Sequence, residues 1–375
     1  MGRVNPITTL LHQAIREGVF PGAVVFVRVH GEVVYHQAVG QMGQAPFNRP
    51  AHTETIYDLA SLTKPLATST AILCLVKDGT LSLDQPVKDW LSEWESTSYH
   101  ATTVRHLLHH SSGLPAWRRY YEKLSTTGLP PKDEEERRAR IERLVRVISQ
   151  EPMEYEPGSQ SVYSDLGFMA LGVLIERCVG SSLAHYCRHR IYGDLNVNPL
   201  FFIDEEGNPT GGDGDLTQVA PTEQDPWRGR LIQADVHDEN AYALGGIAGH
   251  AGLFGTALSV SCLSEAWLQS VLGGSLVFPQ DLAGQFVRRQ DSSGKSSWAL
   301  GWDTPSPPSS SGRYFSPESF GHLGYAGTSL WIDPVRELEV VLLSNRVHPT
   351  RENKQIKIFR PELHDLVIKE CIGDH

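Results

Sequence analysis

The chain has 375 residues, of which 40% are hydrophobic and 21% are charged, and its formal net charge is -11 at pH 7. These values exclude a disordered polypeptide and indicate a globular protein with one large enzyme fold or two modest domains. The Lys and Arg residues are scattered along an acidic chain, which argues against a surface for nucleic acid or for an anionic membrane. We therefore expect a small-molecule or short-peptide substrate as the partner, and the composition leaves the oligomeric state open.

The cysteines and the amino terminus bear on the cellular compartment. The five cysteines are an odd number and widely spaced, so they do not indicate a disulfide framework, and they fit a reducing compartment. Residues 1–18 lack the continuous apolar segment and the cleavage site of a secretory signal, and no apolar run reaches the ~20 residues of a membrane span. We expect a cytoplasmic protein, or a periplasmic one if a signal peptide has been removed.

The first part of the chain predicts one helix followed by two strands. A short amphipathic helix ends at Gly18 and Pro21. Residues 22–29 and 32–40 are rich in β-branched side chains, and His30-Gly31 between them supplies the glycine that a tight hairpin turn requires. The apolar positions of the helix are Leu10, Leu11, Ala14 and Ile15.

The middle of the chain predicts mainly helices. Residues 68–79 read as a buried helix that ends near Gly79, and residues 104–113 as another that ends at Gly113. Residues 132–150 form a highly charged helix with one apolar stripe, so we expect its charges to form a solvated face. The stripe consists of Ile141, Leu144, Val145 and Ile148.

A long irregular segment precedes a return to strands. Residues 204–255 contain few periodic patterns and many Gly, Asp and Pro, which is typical of a loop that walls a binding site or lies disordered, and we expect it to shape substrate choice. Strand patterns follow within 327–345. We therefore predict an α/β (α+β) fold with a mostly antiparallel sheet flanked by helices. The sheet domain would comprise both termini, residues 1–60 and 296–375, with a mainly helical domain inserted at 61–295.

Residues 58–65 read D-L-A-S-L-T-K-P and place Ser61 three residues before Lys64. Three residues are about one helical turn, so both side chains share a face if the segment is helical. Pro65 is tolerated only in a first turn, so the helix must begin close to Ser61. A lysine with a depressed pKa can activate a serine nucleophile, but a serine N-cap beside a surface lysine would read the same. This motif alone leaves both interpretations open.

Two further segments carry side chains that suit catalysis. Y-S-D at 163–165 precedes a strongly apolar helix, and H-L-G at 322–324 opens a strand. Taken separately, Ser164 or Asp165 would be a helix cap, and H-L-G would be a glycine-punctuated edge strand. Their meaning therefore depends on whether they meet Ser61 in space.

In the order S-x-x-K, Y-S-D and H-L-G, the three segments resemble the serine β-lactamase and penicillin-binding-protein superfamily. The variant with a tyrosine and a late His-x-Gly is similar to its class C-type serine hydrolases, which include esterases and D-alanyl-D-alanine carboxypeptidases. The resemblance extends along most of the chain. The supporting stretches are L-L-H-H-S-S-G-L-P at 107–115, A-L-G-G-I-A-G-H-A-G-L-F at 243–254, A-L-G-W at 299–302 and G-T-S-L-W-I-D-P at 327–334.

The resemblance implies hydrolysis of an ester or amide through a serine acyl-enzyme, without a cofactor. Ser61 would be the nucleophile, Lys64 its partner in activation and Tyr163 the general base or proton relay. Where many family members carry an amide in the second motif, this chain has Asp165 at the substrate site. Its carboxylate would favour a protonated Lys64 if it came within about 4 to 6 Å. We therefore expect Tyr163, rather than Lys64, to remove the proton of Ser61.

The third motif would form the opposite wall of the acyl site, lined by His322 and Gly324. The backbone N–H groups of Ser61 and Tyr325 would form the oxyanion hole. Leu323 lacks the hydroxyl of a threonine, and His322 would supply a weaker, titratable charge in place of a lysine. Because such a wall would hold a substrate carboxylate weakly, we expect a carboxylesterase or D-Ala-D-Ala carboxypeptidase-like enzyme with weak or no β-lactamase activity.

Metal sites and other protein classes were weighed against this interpretation. No G-x-S-x-G occurs, which argues against an α/β-hydrolase. Hydrogen bonds explain the loop histidines more simply than a metal does, so we predict no metal site. The alternative from another class is a catalytically inactive binding or scaffold protein with this fold, since a fold does not imply activity. The metal candidates are His185, Cys187 and His189, and the better cluster is His237, Asp238, Glu239 and His250.

Overall fold

The computed structural model describes residues 5–373 except 126, 198, 205, 211–213, 275–276 and 292–294. Within these ranges the strands are β1 Gly22–Val29, β2 Glu32–Gly40, β3 Tyr57–Asp58, β4 Leu200–Phe202, β5 Gln224–Asp225, β6 Arg230–Leu231, β7 Leu253–Gly255, β8 Phe320–Leu323, β9 Ser329–Asp333 and β10 Leu338–Ser344. The α-helices are α1 Pro6–Arg16, α2 Thr70–Lys77, α3 Val104–Leu108, α4 Tyr121–Leu124, α5 Glu134–Ser149, α6 Asp165–Val179, α7 Leu183–Cys187, α8 Glu239–Ala243, α9 Ala257–Leu272, α10 Gln280–Val287 and α11 Ile356–Cys371.

An antiparallel sheet joins the two ends of the chain. Its strand order is β2-β1-β10-β9-β8, and Ala23 of β1 lies opposite Ser344 of β10. The predicted hairpin of β1 and β2 turns at His30 and Gly31, whose φ angles of 48° and 79° are the left-handed values that a two-residue reversal requires. The prediction of a mostly antiparallel sheet, formed from both termini and flanked by helices, is confirmed.

Both faces of the sheet are covered, which explains why β1 is an almost continuous apolar run. Val25 and Val27 point into a core that they share with α1 and α11. Val24 and Phe26 point to the other face, into the larger core that contains most of the helices. Because successive side chains of a strand alternate between faces, this one strand connects the two cores.

A second, three-stranded sheet brings the end of the long loop beside the segment that contains Ser61. Its order is β3-β7-β4, and the N–H of Leu59 donates to the carbonyl of Leu253 at 2.9 Å. Residues 204–255, as far as the structure describes them, contain only short regular elements, namely β5, β6, α8, β7 and a 3₁₀ turn at Leu216–Gln218. The loop predicted from the sequence therefore ends against the strand that precedes Ser61.

The charged helix α5 differs from its prediction. Its apolar stripe is buried as expected, but Arg137 and Arg140 are buried too, so the expectation that the helix presents its charges as one solvated face is wrong. Arg137 pairs with Glu176 of α6 at 2.7 Å, and Arg140 pairs with Glu136 at 2.6 Å and donates to the carbonyl of Ala243 at 3.0 Å. These partners stabilise charges that would otherwise be too costly to bury.

Among the helices of the described ranges, none taken singly has the length and apolar composition to cross a membrane. The bent pair Asp165–Val179 and Leu183–Tyr192 meets the criteria only when its two parts are joined across a 71° bend.

Close packing between α6 and the long loop predicts a strict requirement for glycine at position 249. A Cβ atom there would overlap the carbonyl oxygen of Phe168 and lie 2.8 Å from the backbone nitrogen of Gly172. Gly249→Ala should therefore lower the free energy of unfolding by about 1 to 3 kcal/mol, measured by urea denaturation. Gly284→Ala is the matched control, because its Cβ would meet nothing within 4 Å in α10 and should be neutral or slightly stabilising. Equal effects of the two substitutions would contradict this packing.

Candidate active site

Ser61 lies directly after β3, in a 3₁₀ turn at Ala60–Leu62 that continues through a π-helical segment at Lys64–Ser69 into α2. One carboxylate oxygen of Asp58 accepts the N–H of Ala60 at 2.8 Å. Ala60 has a φ of 49°, a left-handed value that non-glycine residues rarely adopt. Asp58 therefore stabilises the sharp change from strand to helix that presents Ser61 at the start of a helical segment, as the sequence predicted.

The ammonium of Lys64 is fully buried and meets three oxygen acceptors. Its Nζ lies 3.1 Å from Ser61 Oγ, 2.7 Å from Asp165 Oδ1 and 3.1 Å from the carbonyl oxygen of His250. Tyr163 completes the group, since its hydroxyl is in hydrogen-bonding contact with both Ser61 and Lys64. The structure thus brings together the serine, lysine, tyrosine and aspartate that the sequence singled out.

The charges of this group are set by burial and by its neighbours. Burial opposes the charge of the ammonium, but the Asp165 carboxylate and the Tyr163 hydroxyl outweigh it, so the pKa of Lys64 lies above its ordinary value of 10.5. Burial raises the pKa of Tyr163 above 10.0, although the Lys64 ammonium offsets part of the rise. At neutral pH the site therefore contains an ammonium beside a neutral phenol.

The Y-S-D segment is held in place at the start of α6. Ser164 caps this helix, because its Oγ accepts the N–H of Gly167 at 3.3 Å, and it also donates to the carbonyl of Pro115 at 2.7 Å. The N–H of Ser164 donates to Nδ1 of His110 at 3.1 Å. The stretch at 107–115 therefore anchors the backbone on which Tyr163 is mounted.

The third motif lies against the residues that precede Ser61. The N–H of Gly324 donates to the carbonyl of Thr328 at 2.7 Å, and Thr328 Oγ1 donates to the carbonyl of Leu59 at 3.0 Å. A Cβ atom on Gly324 would overlap Thr328 and come within 2.5 Å of the Leu59 oxygen, so only glycine fits here. Arg360 Nη2 donates to the carbonyl of Gly324 at 2.8 Å and so fixes the peptide that carries the N–H of Tyr325. The function of the Tyr325 N–H in an oxyanion hole stays a prediction.

His322 lies near the end of β8, not at the start of a strand as predicted, and its predicted charge is also wrong. The residue is 2% exposed, and its Nδ1 donates to the carbonyl of Leu323 at 2.8 Å. Burial and the nearby Lys64 ammonium lower the pKa of His322 to about 3. The ring is therefore neutral at physiological pH, because water cannot reach it to stabilise the charged form. This wall offers hydrogen bonding but no positive charge.

Two aromatic residues of the site were not identified from the sequence. The ring of His110 lies 4.7 Å from that of Tyr163 and 4.7 Å from that of Trp298, and the ring of Trp298 lies 5.1 Å from that of Tyr163. His110 belongs to a stretch that supported the family resemblance, which was a usable signal. Trp298 stands in no motif, and only the tertiary structure brings it to this site.

The loop residues considered as metal ligands form separate hydrogen-bonded pairs with other side chains. His237 Nε2 lies 2.9 Å from Glu223 Oε2, and His250 Nε2 lies 2.8 Å from Asp238 Oδ1, while Glu239 pairs with an arginine. Across the described portion of the chain, no three or more His, Cys, Asp or Glu side chains come together as a metal-binding group. The two histidines therefore have specific acidic partners.

A family model described as Beta-lactamase matches residues 7–363. The chain belongs to this family and is a hydrolase of the serine β-lactamase and penicillin-binding-protein superfamily. The recognition from the three motifs is therefore confirmed.

Curated relatives and solved structures agree with this assignment. A protein named putative D-alanyl-D-alanine carboxypeptidase from Escherichia coli O157:H7 is 30% identical and aligns with 92% of this chain and 83% of its own. An N-acetylmuramyl-L-alanine amidase of Bacillus subtilis strain 168 is 29% identical over 92% of this chain and 81% of its own. The fold matches EstCE1, a hydrolase with promiscuous acyltransferase activity, with a TM-score of 0.73, 22% identity and coverage of 96% and 97%. It also matches the octameric penicillin-binding protein homologue from Pyrococcus abyssi, with a TM-score of 0.72, 24% identity and coverage of 98% and 77%.

The neutral state of His322 predicts how activity depends on pH. Because its pKa of about 3 lies far below neutrality, His322 does not titrate between about pH 5 and 8. His322→Gln should therefore leave the shape of the pH–rate profile unchanged in this range, even if the rate itself falls. The profile of ester hydrolysis or serine labelling is the measurement. An acidic limb near about pH 6.5 in the unaltered protein that disappears in His322→Gln would contradict a neutral ring.

Proposed function

We propose that this protein hydrolyses esters or amides through an acyl-enzyme on Ser61, as a carboxylesterase or D-Ala-D-Ala carboxypeptidase-like enzyme with weak or no β-lactamase activity. One observation carries the proposal: the hydroxyl of Ser61 lies 3.1 Å from the Lys64 ammonium and in contact with the Tyr163 hydroxyl. A nucleophile, a cation and a proton-transfer group in mutual contact are what acyl transfer to serine requires.

The arrangement supports a proton path through Tyr163. The Lys64 ammonium donates its hydrogens to surrounding oxygens, so it has no lone pair with which to take the proton of Ser61. In the proposed step, Ser61 Oγ bonds to the substrate carbonyl carbon while its proton passes to Tyr163 Oη. Tyr163 passes its own proton to the leaving oxygen or nitrogen, which departs as an alcohol or amine. Water then repeats the sequence in reverse and releases Ser61.

The negative charge that develops on the carbonyl oxygen needs hydrogen-bond donors. The proposed donors are the N–H groups of Ser61 and Tyr325, at the start of a helical segment and after the H-L-G motif. Loss of one such donor typically costs about 10²- to 10³-fold in rate. The peptide between Gly324 and Tyr325, whose carbonyl accepts a hydrogen bond from Arg360, supports this assignment.

The uncharged wall favours substrates without a carboxylate near the scissile bond. His322 is neutral, and Leu323 has no hydroxyl, so neither side chain offers the charge or the donor that would hold a carboxylate. β-Lactams such as nitrocefin and D-Ala-D-Ala peptides both carry that carboxylate. The names of the relatives support hydrolysis of an amide or peptide by this chain as well, which is why the proposal includes both bond types.

A fluorophosphonate probe separates the enzyme from a catalytically inactive scaffold. We expect one covalent adduct, located on Ser61 by peptide mass spectrometry and absent in Ser61→Ala. Tyr163→Phe should slow labelling by about 10²- to 10⁴-fold, because it removes the proton relay. Tyr35→Phe, the same change at a tyrosine of β2 that bonds Thr8, is the matched control and should label normally.

Two results would contradict these assignments. A folded protein that no fluorophosphonate labels would indicate the scaffold. Near-normal labelling of Tyr163→Phe, together with none in Lys64→Ala, would show that the lysine and not the tyrosine removes the proton.

The neutral wall also predicts an order of substrates. p-Nitrophenyl esters should react with kcat/KM about 10- to 100-fold above those of a D-Ala-D-Ala peptide and of nitrocefin. The peptide and nitrocefin carry a carboxylate, and the neutral wall offers no charged hydrogen bond to hold it. Initial rates with the three substrates, and with Ser61→Ala as the blank, measure this order. Nitrocefin as the best of the three would contradict the account of substrate choice.

A further inference from the structure

The end of the long loop contacts the catalytic lysine through its backbone. The carbonyl oxygen of His250 accepts from Lys64 Nζ at 3.1 Å, and the neighbouring carbonyl of Gly249 accepts from Thr68 Oγ1 at 2.6 Å. Both acceptors bond the helical segment that begins at the nucleophile. The long loop is therefore part of the immediate surroundings of Lys64, and not only a wall for substrate.

The carbonyl of His250 contributes to the stability of the Lys64 ammonium because no water reaches this lysine. Lys64 is fully buried, and a buried ammonium hydrogen without an acceptor is costly. The oxygens of Ser61, Asp165 and Tyr163 that surround Lys64 border the proposed reaction, whereas the carbonyl of His250 is supplied by the loop. This carbonyl can hold the ammonium in place while Ser61 reacts.

The backbone around His250 has few side chains to fix it. Residues 248–252 read A-G-H-A-G, so His250 is the one large side chain in the segment, and Gly252 has a φ of 118°. The imidazole is 1% exposed, and its Nε2 lies 2.8 Å from Asp238 Oδ1. This side-chain contact therefore restrains the rotation of the residue whose carbonyl faces Lys64.

Asp238 is itself firmly placed. Its Oδ1 accepts the N–H of Ala241 at 2.8 Å and so caps α8. The preceding residue, His237, donates its N–H to Asp58 Oδ2 at 2.7 Å, and Asp58 is the carboxylate that stabilises the turn before Ser61. The acid that holds His250 is thus tied to the same strand that presents the nucleophile.

We propose that Asp238 and His250 form a positioning pair that keeps the His250 carbonyl on the Lys64 ammonium, and with it the geometry of Ser61 and Tyr163. The inference rests on the proposed function, because it concerns the rate of acylation at Ser61. It gives a function to two loop residues that resemble metal ligands in the sequence. Neither residue touches the substrate in this account, so both are positioning residues.

A pH readout distinguishes positioning from mere stabilisation of the fold. The charged or titratable groups that act on Lys64 are Asp165 and Tyr163 beside α6, His322 in β8 and His110 in the 107–115 stretch. Those around Asp238 are His250, His237 and Asp58. Loss of one acceptor disfavours the ammonium and lowers the pKa of Lys64. Activity that needs the ammonium should then fall off at a lower pH.

The decisive comparison is His250→Leu with His250→Gln. A glutamine amide nitrogen reaches the position of imidazole Nε2 and can still donate to Asp238, whereas leucine fills the space without a donor. We expect His250→Leu to lower the maximal rate of fluorophosphonate labelling by about 10- to 100-fold, with the apparent binding constant of the probe changed by no more than about twofold. Labelling in brief pH jumps should decline at a lower alkaline pH in His250→Leu than in the unaltered protein, because the lost acceptor disfavours the ammonium. His250→Gln should stay within about threefold of the unaltered protein.

A second pair of variants tests whether Asp238 positions His250. Asp238→Ala should slow labelling like His250→Leu, and Asp238→Asn, which keeps an oxygen acceptor, should restore most of the rate. Asp235→Ala is the matched control, because Asp235 lies three residues earlier and pairs with Arg230. It should label like the unaltered protein, whatever its thermal midpoint.

Two outcomes would overturn the inference. One is a folded His250→Leu protein that labels at the normal rate, and the other is His250→Gln as slow as His250→Leu with the same pH profile. Failure of the proposed function has a different signature, since the unaltered protein would then not be labelled at Ser61 at all.

Discussion

The geometry of this site follows from the need to stabilise one buried charge, the ammonium of Lys64. Lys64 has no access to water, and its charge is stable only because Asp165, the Ser61 hydroxyl and the His250 carbonyl surround it with oxygen. Each of these groups must stay within hydrogen-bonding distance, since an acceptor that moves away leaves a charge in a dry interior. The requirement is unusually strict, and it restricts how the surrounding elements can be arranged.

That constraint explains why distant parts of the chain converge here. The nucleophile segment follows β3, the Y-S-D segment begins α6, and the loop that carries His250 ends in β7, which pairs with β3. Gly249 and Gly172 allow the loop and α6 to approach closely enough for the carbonyl to reach the lysine. Gly324 likewise allows close approach on the opposite side of the site, where the H-L-G segment lies against Leu59. The close packing at these glycines is therefore needed to bring oxygen acceptors within reach of the Lys64 ammonium.

Local patterns in the sequence were sufficient for much of the fold and for the principal side chains of the site. The His30-Gly31 turn, the β-branched strands and the placement of Pro65 after Ser61 depend on residues close in sequence, so they could be predicted. The charged helix α5 could not, because Arg137 is stabilised in the interior by Glu176, a residue 39 positions away. Trp298 and the Asp238–His250 pair likewise acquire their places only when remote segments meet.

The order of chemical groups along the chain was enough to recognise the family and to single out Ser61, Lys64 and Tyr163. The electrostatic state of these groups depends on the folded arrangement of the chain. A side-chain charge depends on burial and on neighbours from other segments, which is why His322 is neutral although a histidine in isolation can titrate. A backbone acceptor such as the His250 carbonyl exists at every residue, so no sequence pattern distinguishes the one that meets the lysine.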